Sequence, residues 1–405
     1  MRKNETNVQT TNVKYDSSSP TRLIPFNTAE IHEQPNAEST RNETPKHPDI
    51  YTPNSPATMT TALHSTIAEL STLLNRPLRI GSRTIPQRLV LAPMSFLGHI
   101  AFRELLAGLG GFGLLFSEMC SSKTIPTENP LVSRHFRWRA EELPYLVCQI
   151  MGADPERMAV AAARVEAEGF FGVDINFGCA STTVCRQNCG AEVLKTPEAA
   201  WRIVEHVRRA VRIPVSVKFR TGWEDDPEAA VCMARRFEEA GADAVTFHPR
   251  VAPDRRARPA KWDYIGRVKQ ALKIPVFGNG DVFDAGACLR MLKQTGCDGV
   301  ALGRIAVVRP WVFAEWTGGY VPGPEIFEST AHQLLRLMGR HFEEKPAVLR
   351  FRKFTLYFAA NFQFGHTLYT RVQNAGSLTE IQAVLDAFFA ASPELTSAPN
   401  MNYLQ

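Results

Sequence analysis

The sequence predicts an α/β fold: a (β/α)8 TIM barrel that is followed by a C-terminal helical bundle and preceded by a disordered tail. Three observations support this prediction. The opening segment is polar, eight short apolar runs then alternate with helix-length segments, and the closing stretch has helical periodicity. The predicted domains are a tail at residues 1–58, a barrel at 77–322 and a helical domain at 323–395.

The first 58 residues have the composition of a disordered segment. Ser, Thr, Asn and Pro account for 28 of them, and no apolar periodicity is present. Such a segment buries too little apolar surface to offset the entropy that is lost on ordering. Met59 opens a more regular sequence, so two interpretations stay open: a flexible tail, or translation that starts at Met59.

The predicted barrel contains eight candidate strands. They are residues 89–94, 113–119, 146–152, 173–177, 215–219, 244–248, 275–278 and 299–303. The candidate helices between them include 155–168, 197–211, 227–240 and 284–295, several of which begin with Pro or Asp and are followed by Gly. This alternation is typical of a TIM barrel. A doubly wound open sheet is the alternative, but it normally carries a Gly-rich motif after its first strand, where this chain has Ala92-Pro93-Met94.

The region after residue 322 predicts a small helical bundle. Its four candidate helices are residues 327–342, 346–362, 366–374 and 378–391. Between residues 345 and 374, five Lys or Arg and no acid are interleaved with aromatic residues. This pattern has two interpretations. It is either a helix with an aromatic core face and a solvated basic face, or an RNA-binding surface that neutralises phosphates and stacks on bases.

The overall composition is that of a globular protein, with 44% hydrophobic and 21% charged residues. No run approaches 18 apolar residues and the N-terminus lacks the apolar core of a signal peptide, which predicts a cytoplasmic protein without a membrane segment. The eight cysteines lie mostly in predicted barrel elements, as expected of reduced thiols. A net charge of +5 permits a polyanionic partner without requiring one, and no obligate protein partner is evident.

The most informative stretch is GVDINFGCASTTVCRQNCGAEVLKTP, residues 172–197. It begins as a buried strand and runs into a Gly-Cys step and a loop of small and polar residues. In a TIM barrel the carboxyl end of each strand faces the active site, so Cys179 is expected at the barrel mouth. Cys185 and Cys189 follow, but the spacing of the three thiols matches no common zinc or iron–sulfur pattern, and no metal site is predicted.

The seventh and eighth candidate strands end in Gly278-Asn279-Gly280-Asp281 and Gly303-Arg304. Loops at these two positions commonly hold a phosphate in such barrels, because glycine lets backbone N–H groups approach it. Two ordinary glycine turns are the alternative. With no dinucleotide motif, the pair favours flavin mononucleotide (FMN). Lys218 and His248 end neighbouring strands, and Gln149 lies on the third, where they are expected to face the flavin ring.

At the level of motifs the chain resembles the tRNA-dihydrouridine synthases over residues 77–391. The resemblance rests on a series of short motifs that occur in the family's order. They are Leu91-Ala-Pro-Met94, Ser117-Glu-Met119, Gln149, Asp174-Ile-Asn-Phe-Gly-Cys179, Gly190-Ala191, Leu194-Lys195, Val217-Lys-Phe-Arg-Thr-Gly-Trp223, His248, Gly278-Asn-Gly-Asp281, Gly296-Cys-Asp-Gly299, Gly303-Arg304, Pro310-Trp311 and Arg352-Lys353.

The resemblance implies reduction of uridine to 5,6-dihydrouridine in tRNA, with FMN as cofactor and NADPH as reductant. Hydride from the reduced flavin would reach C6 of the uracil while Cys179 protonates C5. Implied flavin contacts are Pro93, Met94, Ser95, Gln149, Lys218 and His248. Implied phosphate contacts are Asn279, Gly280, Asp281, Gly303 and Arg304. Implied RNA contacts are Arg350, Arg352 and Lys353.

The motifs expected to face the substrate depart from the family pattern. The usual Gly-Cys-Pro with following lysines is here Gly178-Cys-Ala-Ser-Thr-Thr183, and the usual His-Gly-Arg-Thr-Arg is His248-Pro-Arg-Val-Ala252. After the first strand, the usual Gly-Val-Thr-Asp is Phe96-Leu-Gly-His99. Two alternatives therefore stay open. One is an FMN-dependent barrel oxidoreductase that acts on another RNA or on a small molecule, and the other is a flavin-binding RNA protein without turnover.

Overall fold

The computed structural model describes residues 56–254 and 258–404. The predicted disordered tail lies outside the described residues, except for 56–58, which begin the first helix, α1 (Pro56–Leu74). The sequence analysis assigned no element to residues 59–76, but α1 packs on the rest of the fold. Its Leu70 and Leu74 are buried, and the hydroxyl of Ser71 donates to the carbonyl of Thr317 at 2.8 Å.

A short antiparallel hairpin, β1 (Leu78–Ile80) and β2 (Arg83–Ile85), precedes the main sheet. The main sheet contains nine parallel strands. They are β3 (Leu89–Leu91), β4 (Leu115–Phe116), β5 (Cys120–Ser121), β6 (Leu146–Met151), β7 (Gly172–Phe177), β8 (Val215–Gly222), β9 (Ala244–Val251), β10 (Val276–Asn279) and β11 (Gly299–Leu302).

These strands form the predicted eight-stranded barrel. The order runs β3, β11, β10, β9, β8, β7, β6, β4, and a parallel bridge between Val90 and Leu114 brings the two ends of the sheet together. Both β4 and β5 pair with β6, so they are two halves of one barrel strand that is interrupted at residues 117–119. The sequence analysis predicted one strand at residues 113–119, so it missed both the interruption at 117–119 and the second half, β5.

Alternation along β8 shows how the sequence positions the site. Val215, Val217 and Phe219 are buried against the helices, and the ring of Phe219 lies 5.3 Å from that of Phe237 in the surrounding helix layer. Every second residue therefore points the other way, into the barrel, which is where Lys218 and Arg220 lie.

The helices that surround the barrel confirm the predicted pattern. They are α2 (Ile100–Leu109), α3 (Pro155–Ala167), α4 (Thr182–Cys185), α5 (Pro197–Ala210), α6 (Pro227–Glu239), α7 (Trp262–Ala271), α8 (Ala285–Thr295), α9 (Arg304–Val308) and α10 (Val312–Trp316). The side chains of Asp154, Asp226 and Asp284 cap the N-termini of α3, α6 and α8, as their positions in the sequence suggest. No helix in the described part of the chain combines the length and apolarity needed to cross a membrane.

Four helices follow the barrel: α11 (Glu325–His341), α12 (Glu344–Phe358), α13 (Gly365–Asn374) and α14 (Leu378–Ala390). This helical region shares its core with the barrel. The ring of Trp311, just before α10, lies 4.8 Å from that of Phe327, which lies 5.8 Å from that of Phe362. Residues beyond the predicted helical range return to the barrel, where the carbonyl of Leu404 accepts a hydrogen bond from Arg304.

Candidate active site at the barrel mouth

The structure places Cys179 two residues beyond the end of β7, at the barrel mouth as predicted, with its side chain partly exposed. The side chain of Asn176 holds this turn, because its oxygen accepts the N–H groups of Gly178 at 3.2 Å and of Cys179 at 3.0 Å. Gly190 has a φ of +65°, and a Cβ there would lie 2.5 Å from the carbonyl oxygen of Cys179. The Cys179 thiol donates to the hydroxyl of Ser181 at 3.5 Å, so a residue of the same loop orients the thiol.

The other two thiols of the loop have different surroundings. Cys185 donates to the carbonyl of Cys179 at 3.8 Å, and Cys189 is buried and donates to the carbonyl of Gln187 at 3.2 Å. Burial raises the pKa of each of these two thiols. Among residues 56–254 and 258–404, no three His, Cys, Asp or Glu side chains are grouped so as to hold a metal ion.

A network of buried polar side chains crosses the barrel interior beneath the mouth. Gln149 donates to Asp174 at 2.7 Å and accepts from Asn176 at 2.8 Å, while Ser216 donates to Asp174 at 2.6 Å. Burial raises the pKa of Asp174 to about 6, against the opposing effect of the hydrogen bonds. The predicted flavin residue Gln149 is therefore fully buried and held at both ends of its amide. The sequence analysis quoted Asp174 only as part of a motif, although an acid inside an apolar strand is a signal in itself.

Basic side chains converge above this network. Burial, then Arg220, lowers the pKa of Lys218 to about 8. His248 lies opposite Arg220 in the β8–β9 register, and its pKa falls well below the usual value because it is buried and close to the positive charges of Arg220, Lys218, Arg250 and Arg304. Arg220 also donates to the carbonyl of Gly178 at 2.9 Å, which ties the basic group to the Cys179 turn.

The two predicted phosphate loops meet at Asp281. Its carboxylate accepts from Arg250 at 2.5 and 2.6 Å, from Arg304 at 3.2 Å and from the N–H of Ala260 at 2.8 Å. Gly280 has a φ of +117°, and a Cβ there would lie 2.8 Å from the His248 ring, so only glycine fits. The side chain of Asn279 donates to the carbonyl of Ala301 at 2.8 Å and joins the two loops. Arg250 was not among the predicted site residues, although its place after the His248 strand end is a signal.

The three predicted residues after β3 lie on the same side of the mouth. Pro93 and Met94 are partly exposed and Ser95 is exposed. The Met94 sulfur would lie 3.9 Å from a Cβ on Gly303, so this loop adjoins the second phosphate loop. The structure thus places Met94 next to Gly303 and Lys218 close to His248, whereas Gln149 is fully buried.

Comparison with known proteins assigns this arrangement to a family. A family model described as dihydrouridine synthase (Dus) matches residues 90–377. The chain belongs to the dihydrouridine synthase family.

Relatives include a probable tRNA-dihydrouridine synthase of Mycobacterium tuberculosis, 33% identical over 339 residues, which span 79% of this chain and 87% of that protein. A tRNA-dihydrouridine synthase B of Pseudomonas aeruginosa is 36% identical over 268 residues, covering 65% and 80% of the two chains. A probable tRNA-dihydrouridine synthase 1 of Synechocystis is 30% identical over 334 residues, covering 78% and 90%. Family membership makes the chain a flavin-dependent oxidoreductase.

The mouth of this dihydrouridine synthase suits an anionic flavin. Two buried nitrogens, Nε2 of His248 and Nη1 of Arg250, have no hydrogen-bond partner within residues 56–254 and 258–404. Unpaired buried polar atoms are costly, and a bound polar group removes that cost. The neighbouring positive charges and the glycine at position 280 add a favourable field and close backbone access. The residues present therefore fit a phosphorylated flavin.

The three predicted RNA contacts do not form one open face. Arg350 is 4% exposed and points at the barrel, with its guanidinium 3.8 Å from the Glu118 carboxylate and 4.4 Å from the centre of the Phe342 ring. The expectation of a solvated basic face is thus wrong for Arg350, because the buried Glu118 fixes that side of α12 against the barrel. Arg352 and Lys353 are partly exposed and remain candidates for RNA contact.

This difference leads to a test on α12. We expect Arg350→Met to lower the melting temperature clearly, because it removes the guanidinium that lies 3.8 Å from the buried Glu118 carboxylate. The double change Arg352→Ala and Lys353→Ala should leave the melting temperature within a few degrees of wild type, and should weaken RNA binding and its dependence on salt. Thermal denaturation and filter binding of tRNA at several salt concentrations measure the two effects. Equal RNA affinity in the double variant would argue for a solely structural α12.

Lys218 gives a second test, in the flavin-free protein. The pKa of about 8 in the folded protein lies below the ordinary lysine value of 10.5, so folding disfavours the charged amine. Between pH 8 and 10.5 the unfolded chain binds more protons than the folded chain. The destabilising effect of Lys218 on the fold therefore decreases as the pH rises. Lys218→Met should therefore raise the melting temperature at pH 7. The difference in melting temperature between the variant and wild type should become smaller from pH 8 to 10.5. A lower melting temperature for the variant at pH 7 would contradict this assignment.

Proposed function

We propose that this chain reduces uridine to 5,6-dihydrouridine in tRNA, with FMN as its cofactor and NADPH as the reductant. The observation that carries the proposal is the placement of Cys179 at a barrel mouth whose unpaired donors fit an anionic flavin, in a chain that belongs to the dihydrouridine synthase family. The relatives named above are described as acting on tRNA.

When bound and reduced, FMN supplies the hydride that adds to C6 of the uracil ring. The chain then has to supply a proton to C5, since the two hydrogens add across one double bond. Cys179 is partly exposed at the mouth and its backbone is held by Asn176, so its thiol is the group assigned to this donation. Solvent protonates the thiolate again after turnover. A uridine reaches this depth only when it is flipped out of its RNA stack.

The polar layers of the barrel have supporting roles. Lys218 and Arg220 would supply positive charge to a bound anionic flavin and to the uracil as it accepts hydride. Arg250, Arg304 and the Gly280 backbone would hold the phosphate end of FMN. The Gln149–Asp174–Asn176 network fixes the Cys179 turn from below.

The proposal is tested with purified protein and unmodified tRNA transcripts. We expect the protein to copurify with non-covalent FMN, to oxidise NADPH, and to produce dihydrouridine that nucleoside mass spectrometry detects as a gain of two hydrogens. Protein that binds FMN but leaves every tRNA uridine unchanged would favour a substrate of another class. Protein that takes up no flavin would overturn the assignment of the site.

A further inference from the structure

Phe96 adopts a backbone conformation that a bulky residue rarely adopts. Its φ is +64°, in the left-handed region, and its side chain is 52% exposed. A non-glycine residue is strained in this conformation, and here burial of the ring does not offset the strain. Glycine, by contrast, adopts positive φ freely. The ring is therefore exposed at a structural cost.

The backbone of Phe96 is held in place by Glu118. The N–H of Phe96 donates to one oxygen of this carboxylate, while the other oxygen lies 3.5 Å from His135 and 3.8 Å from Arg350. Burial alone would raise the pKa of Glu118, but the imidazole of His135, 3.5 Å away, and the nearby positive groups bring it below the usual value. The carboxylate thus holds the Phe96 backbone through its N–H group.

The surroundings of the Phe96 ring are those of a nucleotide-binding surface. The ring of His135 lies 6.5 Å away at 78°, and its side chain is itself partly exposed. Arg134 is exposed beside it, and Leu131 and Val132 on the same loop are also exposed. Exposed aromatic faces next to a cation bind unpaired bases by stacking, with little dependence on the identity of the base. Phe96 follows Met94 and Ser95 directly, so it adjoins the flavin site.

We infer that Phe96, with His135 beside it, stacks an unpaired RNA base that neighbours the uridine being reduced. Phe96 is then a positioning residue that sets which RNA segment presents its uridine to Cys179. This inference rests on the proposed function and adds a binding step to it. When the uridine flips out, the neighbouring bases lose a stacking partner. The Phe96 ring at the barrel mouth replaces part of the lost stacking.

The test uses three substitutions at position 96. Phe96→Gly removes the ring and the strain together, so its melting temperature should equal or exceed that of wild type. Phe96→Leu and Phe96→Tyr both keep the strained backbone, but only tyrosine keeps an aromatic face. With unmodified tRNA transcripts, the Gly and Leu variants should raise KM by about 5- to 150-fold, as expected for the loss of one stacked base, with kcat little changed. The Tyr variant should stay near wild type, and flavin content should be equal in all four proteins.

A direct measurement complements the kinetics. A single-stranded RNA oligonucleotide that carries 2-aminopurine beside a uridine should lose fluorescence on binding wild type or Phe96→Tyr, because stacking quenches the probe, and should keep it with Phe96→Gly. A Leu variant equal to wild type would show that bulk, not stacking, matters. Loss of flavin in the Gly variant would show that the ring covers the cofactor instead. Either result overturns the inference. If wild type reduces no uridine at all, the proposed function fails with it, whereas equal KM for wild type and Phe96→Gly removes the stacking role alone.

Discussion

Cys179→Ala is expected to abolish most RNA reduction while leaving the flavin site intact. The variant should reduce tRNA uridine more slowly by roughly 10² to 10⁴, the range for loss of a positioned acid. The turn itself should persist, because Asn176 and Ala191 bind the backbone of residue 179 and not its side chain. Single-turnover assays with prereduced enzyme, followed by nucleoside mass spectrometry, measure the loss at the chemical step.

The matched controls for this prediction lie in the same loop. Cys185→Ala and Cys189→Ala remove thiols that donate to backbone carbonyls and lie outside the proposed proton path, so both variants should keep most of the activity. FMN content and NADPH oxidation should be equal in all three proteins. Normal uridine reduction by Cys179→Ala would mean that the proton comes from another group.

The second large effect is expected at Arg250. Arg250→Met removes the guanidinium that pairs with Asp281 and leaves the Nη1 position without a donor, so the affinity for FMN should fall by about 10- to 100-fold, as for loss of a charge-assisted hydrogen bond. Titration of the flavin-free protein with FMN, followed by flavin fluorescence, gives the dissociation constants.

Arg258→Ala is the control for Arg250. The Arg258 side chain is 72% exposed and pairs only loosely with Asp254 at 3.8 Å, so its loss should leave FMN affinity within about twofold of wild type. If Arg250→Met also keeps its affinity, Arg250 serves only to hold Asp281, and the phosphate must depend on Arg304 and the loop backbone.

The parts of the fold that were predicted correctly depend on local pattern. The alternation of short apolar runs with capped helices was enough to predict the barrel, and the Gly-Cys step after a buried strand was enough to place Cys179 at the mouth. The two glycine-containing loops at residues 278–281 and 303–304 were located in the same way, because glycine at a strand end has a local cause, and their phosphate-binding role stays a prediction. In each case the deciding information lies within about ten residues.

The parts that were missed depend on partners distant in sequence. The sequence alone predicts that Arg350 is an exposed cation, because its buried partner Glu118 lies more than 200 residues earlier in the chain. Arg250 becomes a site residue only through Asp281, in the loop that follows the neighbouring strand β10. The positive φ of Phe96 is likewise set by the loop around it and by Glu118, and no residue pattern in one sequence reports it. Helix α1 was missed because, of its side chains at residues 63–74, only Leu70 and Leu74 are buried.

The shared core of the barrel and the helical region limits how such a protein can diversify. The ring of Trp311, beside the barrel, contacts that of Phe327 in the helical region, which in turn contacts that of Phe362. Arg340 and His341 at the end of α11 both contact Glu104 on α2. A helical region transplanted from a relative would present side chains that do not pack against this barrel. New substrate preferences are then acquired more readily through single exchanges on the rim loops, and a chimaera of two relatives would have to carry α2 and its contacts along with the helices it borrows.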